Sequence, residues 1–202
     1  MAKLRLTKNE LKKQKDALKM FLRYLPALLL KKQQLQTEII KIQNNIQKIE
    51  EEMTMLNNKV SSWISVFGED VGLKALISIK NIITQEGNIA GVDIPIFEGV
   101  EFTEKEYSFL DMPIWVDYGI EAIKEMIVLN IKVKTLNKQL KLIREELRIT
   151  TQRVNLFEKI KIPQAKDNIR KIGIWLGDLQ TAAVVTGKIA KDKIQKKEAV
   201  LV

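Results

Sequence analysis

The chain has 202 residues and a formal net charge of +9 at pH 7, and it contains neither cysteine nor histidine. Disulfides, thiol nucleophiles, zinc fingers and imidazole bases are therefore excluded. No apolar run reaches the ~18 to 20 residues that span a bilayer, and the basic N-terminus lacks the apolar core of a signal peptide, so we expect a cytoplasmic protein.

Residues 1–66 are predicted to form a first helical arm, which begins at the N-cap Thr7 with Glu10 at the capping-box position. Pro26 lies inside this helix and predicts a kink, because the apolar pattern continues in phase on both sides. The apolar residues are separated by alternate steps of four and three, the heptad spacing of a coiled-coil seam. The seam residues are Leu35, Ile39, Ile42, Ile46, Ile49, Met53, Leu56, Val60 and Trp63.

Residues 67–112 have a different texture and are predicted to form a small middle body with a short β-hairpin. Two β-branched runs flank Gly87-Asn88, which is a turn sequence. Because a two-stranded hairpin is marginal alone, it must pack on the helices or on another protein. The apolar residues of these runs are Ile79, Ile82, Ile83, Ile89, Val92, Ile94, Ile96 and Phe97.

Residues 113–202 are predicted to form a second helical arm with the same alternation of four and three, followed by a basic tail. Its seam residues are Met126, Leu129, Val133, Leu136, Leu140, Ile143, Leu147, Thr150, Val154 and Phe157. Beyond Pro163 the seam resumes one residue late, at Ile169, Ile172, Leu176 and Leu179. The sequence thus predicts a mainly α fold, a long antiparallel two-helix coiled coil with the hairpin-containing body between its arms.

The excess of basic residues lies at the two ends of the chain, which an antiparallel hairpin of helices brings together. Such a basic tip suits nucleic acid, anionic lipid or an acidic protein collar, and it is equally compatible with a solvated polar face. The residues are Lys3, Arg5, Lys8, Lys12, Lys13, Lys15, Lys19, Arg23, Lys31 and Lys32 in the first arm and Lys188, Lys191, Lys193, Lys196 and Lys197 in the tail.

We find no catalytic or cofactor-binding constellation in the sequence. Thr186-Gly187-Lys188 suggests a phosphate loop, but that motif requires Gly at Ala182 and Ser or Thr at Ile189. The chain is therefore predicted to be non-catalytic, with no cofactor and no metal site.

Three stretches of the chain carry a family resemblance. They are Thr7-Lys8 with Leu11 and Leu18, then Gly91-Val92-Asp93-Ile94-Pro95, and finally Thr151-Gln152-Arg153-Val154-Asn155-Leu156-Phe157-Glu158 with Ile162-Pro163, Ile169 and Ile172. Together they resemble the D subunits of the V-type and archaeal-type rotary ATP synthases, over nearly the whole chain.

The resemblance implies a central rotor shaft that couples ATP synthesis or hydrolysis to ion translocation by transmitting torque. The implied partners are a hexamer of catalytic A and regulatory B subunits, the F subunit, and a membrane-side coupling subunit of type C or d. The implied location is cytoplasmic and peripheral to the membrane. On this basis we expect the middle apolar residues given above to bind the F subunit. We expect the hexamer-facing tip to comprise Lys12, Lys13, Lys15, Arg153, Ile169, Ile172 and Leu176.

Two other functions remain compatible with the residues alone. One is a coiled-coil tether or secretion-stalk adaptor with no ATP synthase partner. The other is a nucleic-acid-binding rod that uses the basic tip, although no recognised nucleic-acid-binding motif supports it.

Overall fold

The structure is a computed structural model that describes residues 4–62, 76–105, 113 and 115–198. Its elements are helix α1 (Lys8–Ser61), strands β1 (Ile77–Ile89) and β2 (Val92–Glu104), helix α2 (Trp115–Asn155), a π-helical turn (Leu156–Lys161) and helix α3 (Ile162–Glu198). The predicted fold class, two long helical arms with a β-hairpin between them, is confirmed. Trp63 and the predicted domain boundaries after residues 66 and 112 lie outside the described residues.

Helix α1 begins where the sequence predicts. The backbone N–H of Glu10 donates to Thr7 Oγ1 at 3.2 Å, which satisfies one of the free donors of the first turn. The helix then continues through Pro26 to Ser61 without interruption.

The two strands pair antiparallel along their whole length. The predicted turn at Gly87-Asn88 is wrong, because the chain reverses at Ala90 and Gly91, whose φ angles are 52° and 77°. Positive φ at both central residues is the geometry of a type I′ turn, whose twist matches that of the flanking strands, and Ala90-Gly91 adopts it with one glycine. Asn88 completes the turn, since its Oδ1 accepts from Gly91 N at 3.0 Å and its Nδ2 donates to Asp93 Oδ1.

Gly87 instead lies within β1, paired with Ile94 of the opposite strand. The side chain of Ile96 occupies the space where a Cβ at Gly87 would stand. Position 87 therefore requires glycine because Ile96 packs closely against it, and not because the chain turns there.

The chain divides into two compact units, which we call the terminal unit (residues 1–30 and 150–202) and the hairpin unit (residues 31–149). In the hairpin unit β2 packs on both helices, and its main core cluster joins Leu35 and Ile42 of α1, Ile94 of β2, and Leu140 and Ile143 of α2. A second cluster joins Leu76, Val116 and Ile120.

The terminal unit consists of two antiparallel helical segments. The rings of Phe21 and Phe157 are 5.1 Å apart, and Asn168 Nδ2 donates to Gln14 Oε1 at 3.3 Å. Thr150, Val154, Ile162, Ala165 and Ile172 form the buried side of the second segment.

The π-helical turn explains why the seam resumes one residue late. The N–H of Ile162 donates to the carbonyl of Phe157, five residues back, so this turn contains about one residue more than an α turn. The inward-facing residues consequently make a single step of five, from Phe157 to Ile162, in place of the heptad step of four. The extra residue is absorbed in one turn, and the seam keeps facing α1 on both sides of it.

Candidate functional site

The described seam residues lie in the interior of the two units. Leu35, Ile42, Leu140, Ile143 and Val154 are buried. The remaining members are half-buried: Ile39, Ile46, Ile49, Met53, Leu56 and Val60 in α1, Met126, Leu129, Val133, Leu136 and Leu147 in α2, and Phe157 in the π-helical turn. The seam therefore holds the helices together and is not itself a surface for a partner.

The residues predicted to bind the F subunit are divided between buried and exposed positions of the hairpin. Ile94 is buried in the main core cluster, and Ile89 and Val92 pack against the same cluster. Phe97 is half-buried, with Lys132 Nζ 6.0 Å from the centre of its ring. The exposed residues are Ile79, Ile82, Ile83 and Ile96, with 37% to 47% of each residue accessible. We call these four the exposed isoleucines; Ile82 and Ile83 are consecutive in the ladder and therefore lie on opposite faces of the hairpin.

Two polar contacts fix the hairpin against the helices. Gln139 Nε2 of α2 donates to the carbonyl of Pro95, a strand residue that has no N–H of its own to pair. Lys124 Nζ of α2 pairs with Glu104 of β2 at 2.5 Å. Near the tip, Lys31 Nζ of α1 lies within 4 Å of the position a Cβ on Gly91 would take, and it pairs with Glu146 of α2 at 2.7 Å, which joins the two helices. The exposed isoleucines are therefore carried by a hairpin that is held on α2 at Pro95 and at Glu104.

A groove of about 520 Å³ runs between α1 and α2 in the hairpin unit. Its apolar lining includes Met55, Leu56, Val128 and Leu129, and its remaining lining is charged: Glu52, Lys59, Lys124, Glu125 and Lys132.

The residues predicted for the hexamer-facing tip all belong to the terminal unit, but they differ in exposure. Lys12, Lys13, Lys15 and Arg153 are exposed. Ile169 and Leu176 are half-buried, and Ile172 is fully buried against the opposite segment. The four basic side chains are thus the members that a partner can reach.

The end of α3 is the feature that sequence reasoning missed. Every residue from Gly177 to Lys196 is exposed, over ~30 Å of helix. The sequence predicts Leu179 as a seam residue and a basic tail from Lys188, yet Leu179 is exposed, and the helix carries further exposed apolar residues, namely Val184, Val185, Ile189 and Ile194. Their helical spacing was the available signal.

Asp167 is the one described group whose titration is clearly perturbed. Hydrogen bonds from Lys171 first and Arg170 second lower the pKa of this exposed carboxyl below its ordinary value, against a small opposing effect of desolvation. This is a surface cluster on α3 and carries no chemistry of its own.

Neither a metal site nor a membrane span is found in the part of the chain that the structure describes. No cluster of at least three His, Cys, Asp or Glu residues is placed there to hold a metal ion. No described helix is both long enough and apolar enough to cross a bilayer.

Comparison with known proteins connects this arrangement to one family. The family model for the D subunit of ATP synthase matches residues 10–192. The V-type ATP synthase D subunit of Borreliella burgdorferi is 53% identical over 197 residues, covering 98% of each protein. The proteins of the same name from Chlamydia trachomatis serovar L2 and Chlamydia pneumoniae are 36% and 32% identical, over 96% and 97% of this chain and 98% and 95% of their own lengths.

Proposed function

The chain belongs to the family of ATP synthase D subunits, and on that premise we propose that it is the central rotor shaft of a V-type or archaeal-type rotary ATP synthase. In this role it is a non-catalytic subunit. It couples ATP synthesis or hydrolysis in a hexamer of A and B subunits to ion translocation, and it is peripheral to the membrane.

The observation that carries the proposal is the exposed end of α3. In the terminal unit α1 and α3 pack through one narrow seam, and α3 then continues beyond the described part of α1, with apolar and basic side chains that no other described residue covers. A bare helix with an apolar face is poorly stable in water unless another surface covers it. The lumen of a ring of subunits is such a surface, and a rotor must enter it as a slender element.

Torque transmission follows from asymmetry. A helical pair presents different side chains at each angle, so the rotor stabilises the open or the closed state of each catalytic interface according to the side it shows. Lys12, Lys13, Lys15 and Arg153 are the exposed basic groups available for polar contacts in this part.

We assign the exposed isoleucines to the interface with the F subunit, and the membrane-side coupling subunit of type C or d to the same end of the complex. Large apolar side chains exposed on a hairpin that is already packed on its helices are of the kind that protein partners cover.

The rotor assignment is tested by truncating the chain after Leu176. The variant retains the buried seam residues of the terminal unit, so we expect its thermal unfolding to be nearly unchanged. In a complex reconstituted with the A and B subunits, we expect ATP-driven rotation of a bead on the hairpin unit to lose most of its torque. A truncation after Lys196 is the control, and full torque in the shorter variant would contradict the role of the α3 end.

The basic tip is tested by reversing the charge of Lys12, Lys13 and Lys15 together. If these side chains turn against polar or acidic groups, assembly with the hexamer weakens more at low salt than at high salt, because salt screens exposed charges. An affinity change that is independent of salt would argue for a merely solvated face.

The assignment of the exposed isoleucines is tested by replacing Ile79, Ile82 and Ile83 with Ser. Removing the whole hairpin is a poorer test, because it would uncover the core cluster beneath Ile94. We expect the triple variant to keep its helical content and to bind the F subunit at least tenfold more weakly. Replacement of Asn81 and Gln85, which are exposed polar residues of the same strand, is the matched control. Equal binding by both variants would remove the assignment.

A further inference from the structure

Backbone hydrogen bonding is interrupted in both arms of the terminal unit at one level. In α1, Pro26 has no N–H, so the carbonyl of Leu22 lacks its usual donor four residues on. In the second segment, the Ile162 N–H bonds to the carbonyl of Phe157 in the π pattern. The next donor in that pattern would come from Pro163, which has none, so the π-helical turn is not continued by a further bond of its kind.

The contact between Phe21 and Phe157 marks where the two interruptions face each other. Their ring centroids are 5.1 Å apart and the ring planes are tilted by 53°, at a separation typical of interacting aromatic pairs. Phe21 lies one residue before the unpaired Leu22 carbonyl, and Phe157 provides the carbonyl of the π-type bond. The weak points of the two helices are therefore neighbours across the seam.

Packing is maintained on both sides of this level. Thr150 and Val154 are buried before the π-helical turn, and Ile162 and Ala165 are buried after it. None of the residues in the turn itself is buried. The two segments are thus held together above and below a level at which their backbones are least supported.

We propose that the level of the Phe21–Phe157 contact is a hinge of the terminal unit, at which both segments open backbone hydrogen bonds together while the seam keeps its register. In a turn with an additional residue, the backbone N–H groups can exchange between π-type and α-type hydrogen bonds with small movements. In the opposite helix, Pro26 removes one backbone hydrogen bond, so that helix bends more easily at the same level. This inference goes beyond the rotor assignment and does not depend on it. In a rotor, such a hinge is a compliant point in the part that carries torque.

The test is amide hydrogen exchange of the full-length chain, followed by mass spectrometry. In the wild-type chain, we expect peptides covering residues 22–28 and 156–165 to exchange at least tenfold faster than peptides covering residues 11–18 and 166–175 of the same unit. Equal rates in these segments would overturn the proposal.

A variant that closes the hinge tests whether the two arms act together. Deleting Lys159 and replacing Pro163 with Ala places Phe157 and Ile162 four residues apart, so a continuous α-helix restores the heptad. We expect exchange to slow at least tenfold in residues 156–165 and also in residues 22–28, whose sequence is unchanged. Slowing confined to the altered arm would contradict a shared hinge.

Deletion of Arg23 is the matched control. Arg23 and Lys159 are both basic, exposed and close to the Phe21–Phe157 level, but α1 has no extra residue to lose. Its deletion rotates Leu11, Leu18 and Phe21 away from the seam, so we expect the melting temperature to fall by several degrees, whereas deletion of Lys159 alone leaves it unchanged or higher. An equal decrease in melting temperature for the two deletions would show that the π-helical turn contains no additional residue.

Should the double variant fold poorly, Pro26→Ala alone provides the reciprocal measurement. It restores a donor in α1, and we expect it to slow exchange in residues 156–165 across the seam. Exchange there at the wild-type rate would overturn the coupling. Failure of any of these chains to assemble with a hexamer bears only on the rotor assignment, because exchange is measured on the chain alone.

Discussion

The hairpin unit and the terminal unit contain the same kind of seam, but they bury it to different degrees. In the described part of α1, the buried residues are Leu35 and Ile42, which both lie beneath the hairpin. Residues of the same helix that face the seam in the terminal unit, such as Leu18 and Phe21, are half-buried. Two helices alone therefore leave their apolar stripes partly exposed to solvent, and a third element is needed to bury the core residues fully.

Buried threonines of the two units show the same contrast. Thr135, in the hairpin unit, is buried and its Oγ1 donates to the carbonyl of Ile131 at 2.9 Å. Thr150, in the terminal unit, is fully buried, and its Oγ1 has no hydrogen-bond partner among the described residues. The thinner unit thus also carries the unpaired polar group.

The largest effect is expected from the residue by which the hairpin closes the core. Ile94→Ala leaves a cavity among Leu35, Ile42, Leu140 and Ile143, and we expect it to lower the free energy of unfolding by about 3 kcal/mol. Ile96→Ala makes the same change on the same strand at an exposed site, and about 0.5 kcal/mol is expected there. Urea unfolding followed by circular dichroism measures both. Similar losses would mean that the hairpin does not close the core.

The next largest change in stability is expected at the hairpin tip. Gly91 has a φ of 77°, so we expect Gly91→Ala to destabilise the hairpin unit by about 1 kcal/mol. Gly99, in the strand, has open space where a Cβ would stand, so Gly99→Ala is expected to be neutral or slightly stabilising. A lower melting temperature for Gly91→Ala together with an unchanged or higher one for Gly99→Ala would support the assignment of the turn. An unchanged melting temperature for Gly91→Ala would contradict it.

The two threonines test the comparison directly. Thr150→Val removes an unpaired buried hydroxyl, and we expect it to stabilise the terminal unit by about 1 kcal/mol. Thr135→Val removes a hydroxyl that is hydrogen-bonded, and we expect stability to stay within about 0.5 kcal/mol or to fall. A loss of stability in Thr150→Val would show that its hydroxyl is satisfied in solution.

The smallest effect concerns the exposed charges of α3. The pKa of Asp167 is lowered because its charged form is favoured by Lys171 and Arg170, so its contribution is present above the ordinary carboxyl pKa and is lost as pH falls through the lowered value. We expect Asp167→Asn to melt slightly below the wild type at pH 7 and to match it in strong acid. Asp178→Asn is the control, since Asp178 makes no ion pair among the described residues. A pH-independent difference would exclude the charge as its cause.

Much of the fold follows from the spacing of apolar residues. The alternation of four and three predicts both helical arms, and the one-residue slip near Pro163 corresponds to the π-helical turn, although a slip alone does not say which backbone absorbs it. The N-cap at Thr7 is local chemistry and was predictable for that reason, whereas the Glu10 carboxylate accepts from Gln14 Nε2 and does not complete the predicted capping box.

The hairpin was less predictable, because its form depends on tertiary contacts. Gly87-Asn88 has strong turn propensity, but Gly87 is required for the packing of Ile96, and the turn moves to Ala90-Gly91. The division of the hairpin isoleucines into buried and exposed ones depends on which part of the hairpin meets α1 and α2, since Ile94 is buried whereas Ile96, on the same face of the strand, is exposed. Because the alternation of apolar residues is imperfect and register shifts follow Ile79 and Ile83, the sequence did not indicate that division.

The order in which contacts occur along the chain has a consequence for how the protein is made. Gln139 bonds to Pro95 across 44 residues, Lys31 to Glu146 across 115, and Asn168 to Gln14 across 154. During synthesis α1 emerges first and must wait for its partner helix, with its apolar stripe uncovered. Contacts between residues that are closer in sequence form with less loss of chain entropy. We therefore expect the hairpin to pack on α2 first and the two segments of the terminal unit to pair last. The nascent first arm is then the stretch most exposed to aggregation and most in need of chaperone protection.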